Sequence, residues 1–134
     1  MDEVLKFFTE NPTFYLATTE GDEPKVRPFG FIMNYEGKLY FCTGNRKKVY
    51  RQLKTNPNCE MCSTATANGE WVRLKGKAVF DDNLAAKKKV LEIAPFLSNI
   101  YKGAEDPTFE MFYLTDCEAT FCSMAPKPYR TVKL

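Results

Sequence analysis

Leu39-Tyr40-Phe41-Cys42-Thr43-Gly44-Asn45-Arg46-Lys47-Lys48-Val49 is an apolar run of strand character that ends in a polar turn, followed by three consecutive cations and the start of a helical pattern. Val49 and Leu53 lie four apart and Asn56-Pro57 stops the pattern, so the spacing predicts a helix over 46–55. A strand that runs through a turn into a helix presents unpaired backbone N–H groups, and the helix start carries partial positive charge. With the Thr43 hydroxyl and the donors of Arg46, Lys47 and Lys48 beside it, the stretch reads as an anion site suited to phosphate. A basic, solvated first helical turn is the plainer alternative, and the stretch by itself does not separate the two.

Working outward, residues 25–33 precede a Glu36-Gly37 turn and pair most simply with 38–43 as a hairpin. Alternation puts Arg27, Phe29, Phe31 and Met33 on one face and Pro28, Gly30 and Ile32 on the other. Proline and glycine inside a strand indicate an edge, a bulge, or close approach of another group to the backbone. Residues 14–19 form a strand between Asn11-Pro12 and Glu20-Gly21-Asp22, after an N-terminal helix over 2–10. On the other side, 58–66 and 70–80 flank Asn68-Gly69, a two-residue hairpin signal.

The strand over 70–80 turns Val72, Leu74, Ala78 and Phe80 one way and Trp71, Arg73, Lys75 and Lys77 the other. Lysines on an outer face need no explanation, whereas Trp71 calls for burial or a ligand, which marks Trp71 and Arg73 as site or interface residues. Asp81-Asp82-Asn83 caps a helix whose apolar stripe is Leu84, Val90, Leu91 and Ala94, with Lys87-Lys88-Lys89 on its wet side and Pro95 at its end. Residues 109–114 and 118–124 read as two strands joined by a tight turn at Thr115-Asp116, and the tail from Ala125 as extended. Hairpin-linked strands without regular strand-helix alternation predict an α+β antiparallel barrel or curled sheet.

The 134 residues suit one domain, 1–134, and the composition, 44% hydrophobic and 27% charged, is that of a globular protein. A net charge of +2 argues against a protein built to neutralise nucleic-acid phosphates. No apolar run has membrane-spanning length and Met1-Asp2-Glu3 lacks the basic start of a secretory signal, so the expected location is cytoplasmic. Five cysteines without a regular framework fit reduced thiols, and Cys59-Glu60-Met61-Cys62 has no second pair at zinc-ligand spacing, so no metal is expected. There is no histidine, which removes Ser-His-Asp and Cys-His chemistry and the usual base near neutral pH. A bound organic cofactor is then the economical carrier of electron or hydride transfer.

The ordered set Val26-Arg27-Pro28-Phe29-Gly30-Phe31, Leu39-Tyr40-Phe41-Cys42-Thr43 with Lys47-Lys48-Val49, Leu53-Lys54-Thr55-Asn56-Pro57 and Trp71-Val72-Arg73-Leu74-Lys75-Gly76 resembles the pyridoxamine 5′-phosphate oxidase-like, FMN-binding split-barrel family. Within it, the chain is similar to the small single-domain members that include nitroimidazole-resistance and general-stress proteins. The resemblance implies a six-stranded antiparallel split β-barrel with flanking helices, and a homodimer that binds FMN in clefts between subunits. Carried over by position, Arg27, Pro28, Phe29 and Gly30 would run along the flavin ring and ribityl chain, with Cys42 and Thr43 beside it. Lys47 and Lys48 would meet the phosphate, Trp71 falls where the oxidase has a polar flavin contact, and Arg27 or Arg73 would stabilise a reduced, anionic ring. The chain lacks the histidine of some nitroimidazole reductases and, beyond Ala125, the oxidase's Trp and Arg contacts.

The resulting expectation is an FMN-dependent oxidoreductase that moves electrons from a reduced nicotinamide or similar donor to a small acceptor. A non-catalytic module holding flavin, deazaflavin or haem in the same barrel is the alternative. A single-stranded nucleic-acid barrel, suggested by Trp71, Arg73, Lys75 and Lys77, is a third reading that the small net charge disfavours.

Overall fold

The computed structural model describes all of residues 1–134. Its strands are β1 (Phe14–Glu20), β2 (Glu23–Phe29), β3 (Met33–Tyr35), β4 (Lys38–Gly44), β5 (Asn58–Cys62), β6 (Glu70–Phe80), β7 (Phe109–Ser123) and β8 (Arg130–Lys133). The helices are α1 (Asp2–Glu10), α2 (Lys48–Thr55) and α3 (Leu84–Ile93), and a 3-10 segment, Pro95–Asn99, follows α3. The strands make one antiparallel sheet in the order β2-β1-β5-β6-β7-β4-β3, with β8 added on β7. Its two end strands, β2 and β3, are consecutive in the chain, linked only by residues 30–32, and the sheet curls into a split barrel.

The structure has eight strands, against six implied by the family resemblance and seven in the sequence ranges, and three local changes turn those seven into eight. The expected strand over 25–33 breaks at exposed Gly30, and the side chains change partners there: Phe29 and Ile32 pack on the inner core, Phe31 and Met33 on the outer cluster. Residues 130–133 of the tail pair with β7. Residues 109–123 form one continuous strand, with no reversal at Thr115-Asp116. Register passes from Lys75↔Glu118 to Lys77↔Thr115, so Gly76 faces both Asp116 and Cys117 across a β-bulge, and the positive φ of Asp116 (49°) is absorbed in it. A Cβ on Gly76 would lie 2.9 Å from the Thr115 carbonyl oxygen, so the bulge closes only over glycine.

The inner face packs Phe14, Leu16, Phe41, Met61, Leu74 and Phe112 with Val4 and Phe8 of α1 and Val49 and Leu53 of α2. Phe41 stacks on Phe112 with ring centroids 5.4 Å apart. On the outer face of β3, β4 and β7, Tyr40, Phe109 and Met111 meet Ala86 and Val90 of α3. β4 therefore has a buried partner on each side, which is why Leu39-Tyr40-Phe41 is unbroken by a polar residue. Asn83 caps α3 by accepting from the Ala86 N–H at 3.1 Å. Of the three lysines assigned to the wet side of α3, Lys87 is buried, its stem laid under the helix with Nζ 5.8 Å from the Phe109 ring centroid.

No helix covers the outer face of β2, β1 and β5, where Tyr15 is 46% and Val26 69% exposed. No helix is long and apolar enough to cross a membrane.

Candidate functional site

The turn after β4 is pinned to the start of β7: Asn45 donates its backbone N–H to the Thr108 carbonyl (3.0 Å) and its side-chain amide to Pro107 O (2.7 Å) and Glu110 Oε2 (2.8 Å). α2 then begins at Lys48, two residues later than the sequence pattern suggests. Its capping residue, Lys47, supplies no side-chain acceptor, and the first turn holds no acid, so the open N–H groups and the helix dipole face no competing anion from the helix itself.

Arg27 reaches this end of α2 from β2. Its Nη1 donates to Leu16 O (3.1 Å) and to Thr18 Oγ1 (2.7 Å), and its Nη2 to Gln52 Oε1 (2.6 Å). All three acceptors are neutral, and no carboxylate pairs with Arg27. Burial pulls its pKa below the usual arginine value, although a guanidinium remains charged in proteins. Arg27, Lys47, Lys48, Lys25 and Gln52 line a cleft of about 320 Å³ in which Glu20 is the one acid. A half-buried cation without a counter-ion, beside an uncapped helix start and two exposed lysines, fits a phosphate monoester in charge and in donor chemistry. Thr43, 3% exposed at the end of β4, has a hydroxyl with no hydrogen-bond partner, the one buried side-chain polar atom in that condition. Such a group costs about 1–3 kcal/mol until something bonds it.

Of the ten residues singled out in the sequence, the structure brings Arg27, Lys47 and Lys48 to this one cleft. Pro28 in β2 and Gly30 just past its end are exposed, and apart from its chain neighbours no atom lies within 4 Å of where a Gly30 Cβ would sit. Phe29 turns inward, its ring 6.2 Å from Phe14 and 6.3 Å from Phe112. Thr43 is in β4, and Cys42 packs against the outer cluster. Trp71 and Arg73 lie on the outer face of β6, outside the cleft, with Trp71 edge-on to Tyr129 at 6.2 Å and Arg73 exposed. Two buried polar residues that hold Arg27, Thr18 behind the cleft and Gln52 in its wall, escaped the sequence reading. Gln52 had a signal: it shares the core-facing stripe of α2 with Val49 and Leu53.

Burial pushes the Cys42 thiol up to about 12, with Lys47 pulling slightly back, and pushes Cys59 to about 12 and Cys117 to about 11. These thiols are protonated at neutral pH and supply no thiolate nucleophile. Cys59 sits in the core and Cys62 on the opposite face of β5, so the C-x-x-C does not converge. In the unfolded chain these thiols ionise near 9.0, below their folded values, so the stability that keeps them neutral is complete below about pH 9 and is lost as pH rises toward 12. Thermal melts should accordingly show Tm falling between pH 8.5 and 10.5, and a flat profile across that interval would contradict the burial of these groups.

Residues 1–118 match the family model for pyridoxamine 5′-phosphate oxidase. Among solved structures, a NimC/NimA family protein from Clostridium acetobutylicum is 41% identical, with 100% of this chain and 92% of that chain covered and a TM-score of 0.92. A pyridoxamine 5′-phosphate oxidase-related, FMN-binding protein from Nostoc punctiforme is 14% identical over 99% of this chain and 95% of that one, with a TM-score of 0.71. A heme-binding protein from Mycobacterium smegmatis is 17% identical over 98% of this chain and 56% of that one, with a TM-score of 0.74. The latter two likenesses establish the fold alone. No curated protein matches the sequence.

Proposed function

Because the chain belongs to the pyridoxamine 5′-phosphate oxidase family, we propose that it is a cytoplasmic FMN-binding flavoprotein that passes electrons from a reduced nicotinamide or similar donor to a small acceptor. The observation that carries this is the counter-ion-free Arg27 guanidinium at the uncapped start of α2, flanked by Lys47 and Lys48. When bound, FMN would supply the two-electron chemistry that a chain without histidine does not. The protein's part is binding and electrostatics: Arg27, Lys47 and Lys48 hold the phosphate, the exposed backbone at Pro28 and Gly30 accepts the flat ring system, and Thr43 offers its unused hydroxyl. A haem in the same barrel would find no imidazole ligand, which favours flavin.

The working unit in this proposal is a homodimer, with a flavin in a cleft completed by the second copy. Its support is the uncovered face of β2, β1 and β5, where Tyr15, Val26 and the exposed prolines Pro24 and Pro28 form an apolar surface that one chain leaves wet.

The visible spectrum of the purified protein, before and after addition of FMN, tests the proposal. Flavin absorbance that stays with the protein supports it, and FMN that passes through a desalting column unretained overturns it. Steady-state oxidation of a reduced nicotinamide separates an enzyme from a passive flavin carrier. Gly30→Ala gives a finer test of where the ring lies. The added methyl meets nothing in the free chain, so folding stability should stay within about 0.5 kcal/mol of wild type. Flavin affinity should nevertheless fall, because the ring would approach that backbone closely. Undiminished affinity by fluorescence titration would move the ring away from Gly30.

A further inference from the structure

Two residues that hold Arg27 have no direct part in the phosphate contacts above. Gln52 is 6% exposed on the core-facing stripe of α2, and Thr18 is buried on β1. Polar side chains in such positions cost stability unless their polar atoms are bonded. Here the bonding is internally consistent. The Thr18 hydroxyl donates to Gln52 Oε1 (2.6 Å) and accepts from Arg27 Nη1, while the same Gln52 oxygen accepts from Arg27 Nη2. The Gln52 amide nitrogen points the other way, 3.4 Å from Glu20 Oε2, which fixes the orientation of the amide. With Leu16 O as the third acceptor, three of the five guanidinium N–H donors are used and two remain.

We propose that Gln52 and Thr18 are positioning residues that fix the Arg27 guanidinium without neutralising it, and that this arrangement makes the cleft select a flavin bearing a terminal phosphate over the same flavin without one. The inference rests on the flavin reading above. A carboxylate at position 52 would bind Arg27 more strongly than an amide does, but it would also cancel the charge that the phosphate needs. A neutral oxygen provides direction alone. Thr18, the other polar member of the trio, completes the clamp from β1, so the guanidinium is held between two elements that each anchor in the inner core through Leu16 and Leu53. Burial that disfavours the charged form of Arg27 adds to the demand for an incoming anion.

Gln52→Glu and Thr18→Val, titrated with FMN and with riboflavin alongside melting curves of the flavin-free proteins, test the proposal. Wild type should prefer FMN. Gln52→Glu should weaken FMN by about tenfold or more and change riboflavin by less than about twofold, while in the flavin-free Tm the new pair with Arg27 is opposed by repulsion from Glu20, so the ratio of the two affinities is the readout. Thr18→Val should also narrow the gap between FMN and riboflavin, by a smaller factor, and it reports on the clamp if the first variant folds poorly. A purely structural role for Gln52 would instead weaken both ligands together, and that result overturns the proposal. Variants that keep the wild-type preference for FMN also overturn it while leaving the flavin reading standing. Wild-type protein that binds neither ligand removes both.

Discussion

Arg27→Ala is expected to lower FMN affinity by about 10- to 150-fold, the scale of about 1.5–3 kcal/mol for a hydrogen bond to a charged group. The effect should exceed that of removing Lys47 or Lys48, because both lysines are exposed and their attraction to a phosphate is screened by water and salt, whereas Arg27 is half-buried and already oriented. Folding stability should change by no more than about 1 kcal/mol, since the lost hydrogen bonds are offset by relief of an unpaired, partly desolvated charge. Thr18 and Gln52 also keep the bond between them. Arg27→Lys restores the charge but not the planar fork, so it should recover only part of the affinity. Isothermal titration of flavin-free protein with FMN, with riboflavin as control, measures this. Equal losses for both ligands would show that Arg27 does not act through the phosphate.

The second large effect concerns stability. Gly76→Ala should cost about 1–3 kcal/mol and lower Tm by roughly 4–12 °C, the usual range for forcing a methyl group into filled space. The new Cβ would lie 2.9 Å from Thr115 O and 3.2 Å from Leu114 Cβ, and the first of these is backbone held in a ladder. Neither side can yield easily, because Gly76 is also paired with Cys59 of β5. Gly30→Ala is the matched control, with open space around its Cβ. If the two variants melted at the same temperature, the tight closure of the β6–β7 bulge would be refuted.

Much of this architecture was legible where the determinants are local. The run from Leu39 to Val49 announced a strand, a turn and a basic helix start, and all three are present, with the helix beginning at Lys48. Asn68-Gly69 announced the antiparallel pairing of β5 with β6, although β5 ends at Cys62 rather than Thr66. What stayed hidden depends on partners distant in sequence. Thr115-Asp116 has turn chemistry, but Gly76, forty positions earlier, lets the strand run on through a bulge. Lys87 looked solvated because nothing nearby in sequence shows that Phe109 lies beneath it. Gln52 looked like an ordinary helix residue because its two partners, Thr18 and Arg27, are 34 and 25 positions away. Local propensity sets the elements, and long-range packing sets which polar residues meet.

The prolines of β2 have a further consequence. β2 is an end strand bonded to β1 on one side only, and in an antiparallel ladder alternate residues aim their N–H groups at the open side. A proline is tolerated inside such a strand when its nitrogen faces outward, which puts positions 24, 26 and 28 along the free border and leaves Val26 as its one remaining donor. A stranger's strand that docked there would find almost nothing to zip onto. Edge-to-edge growth into fibrils is therefore blocked along β2, on its side of the barrel's seam.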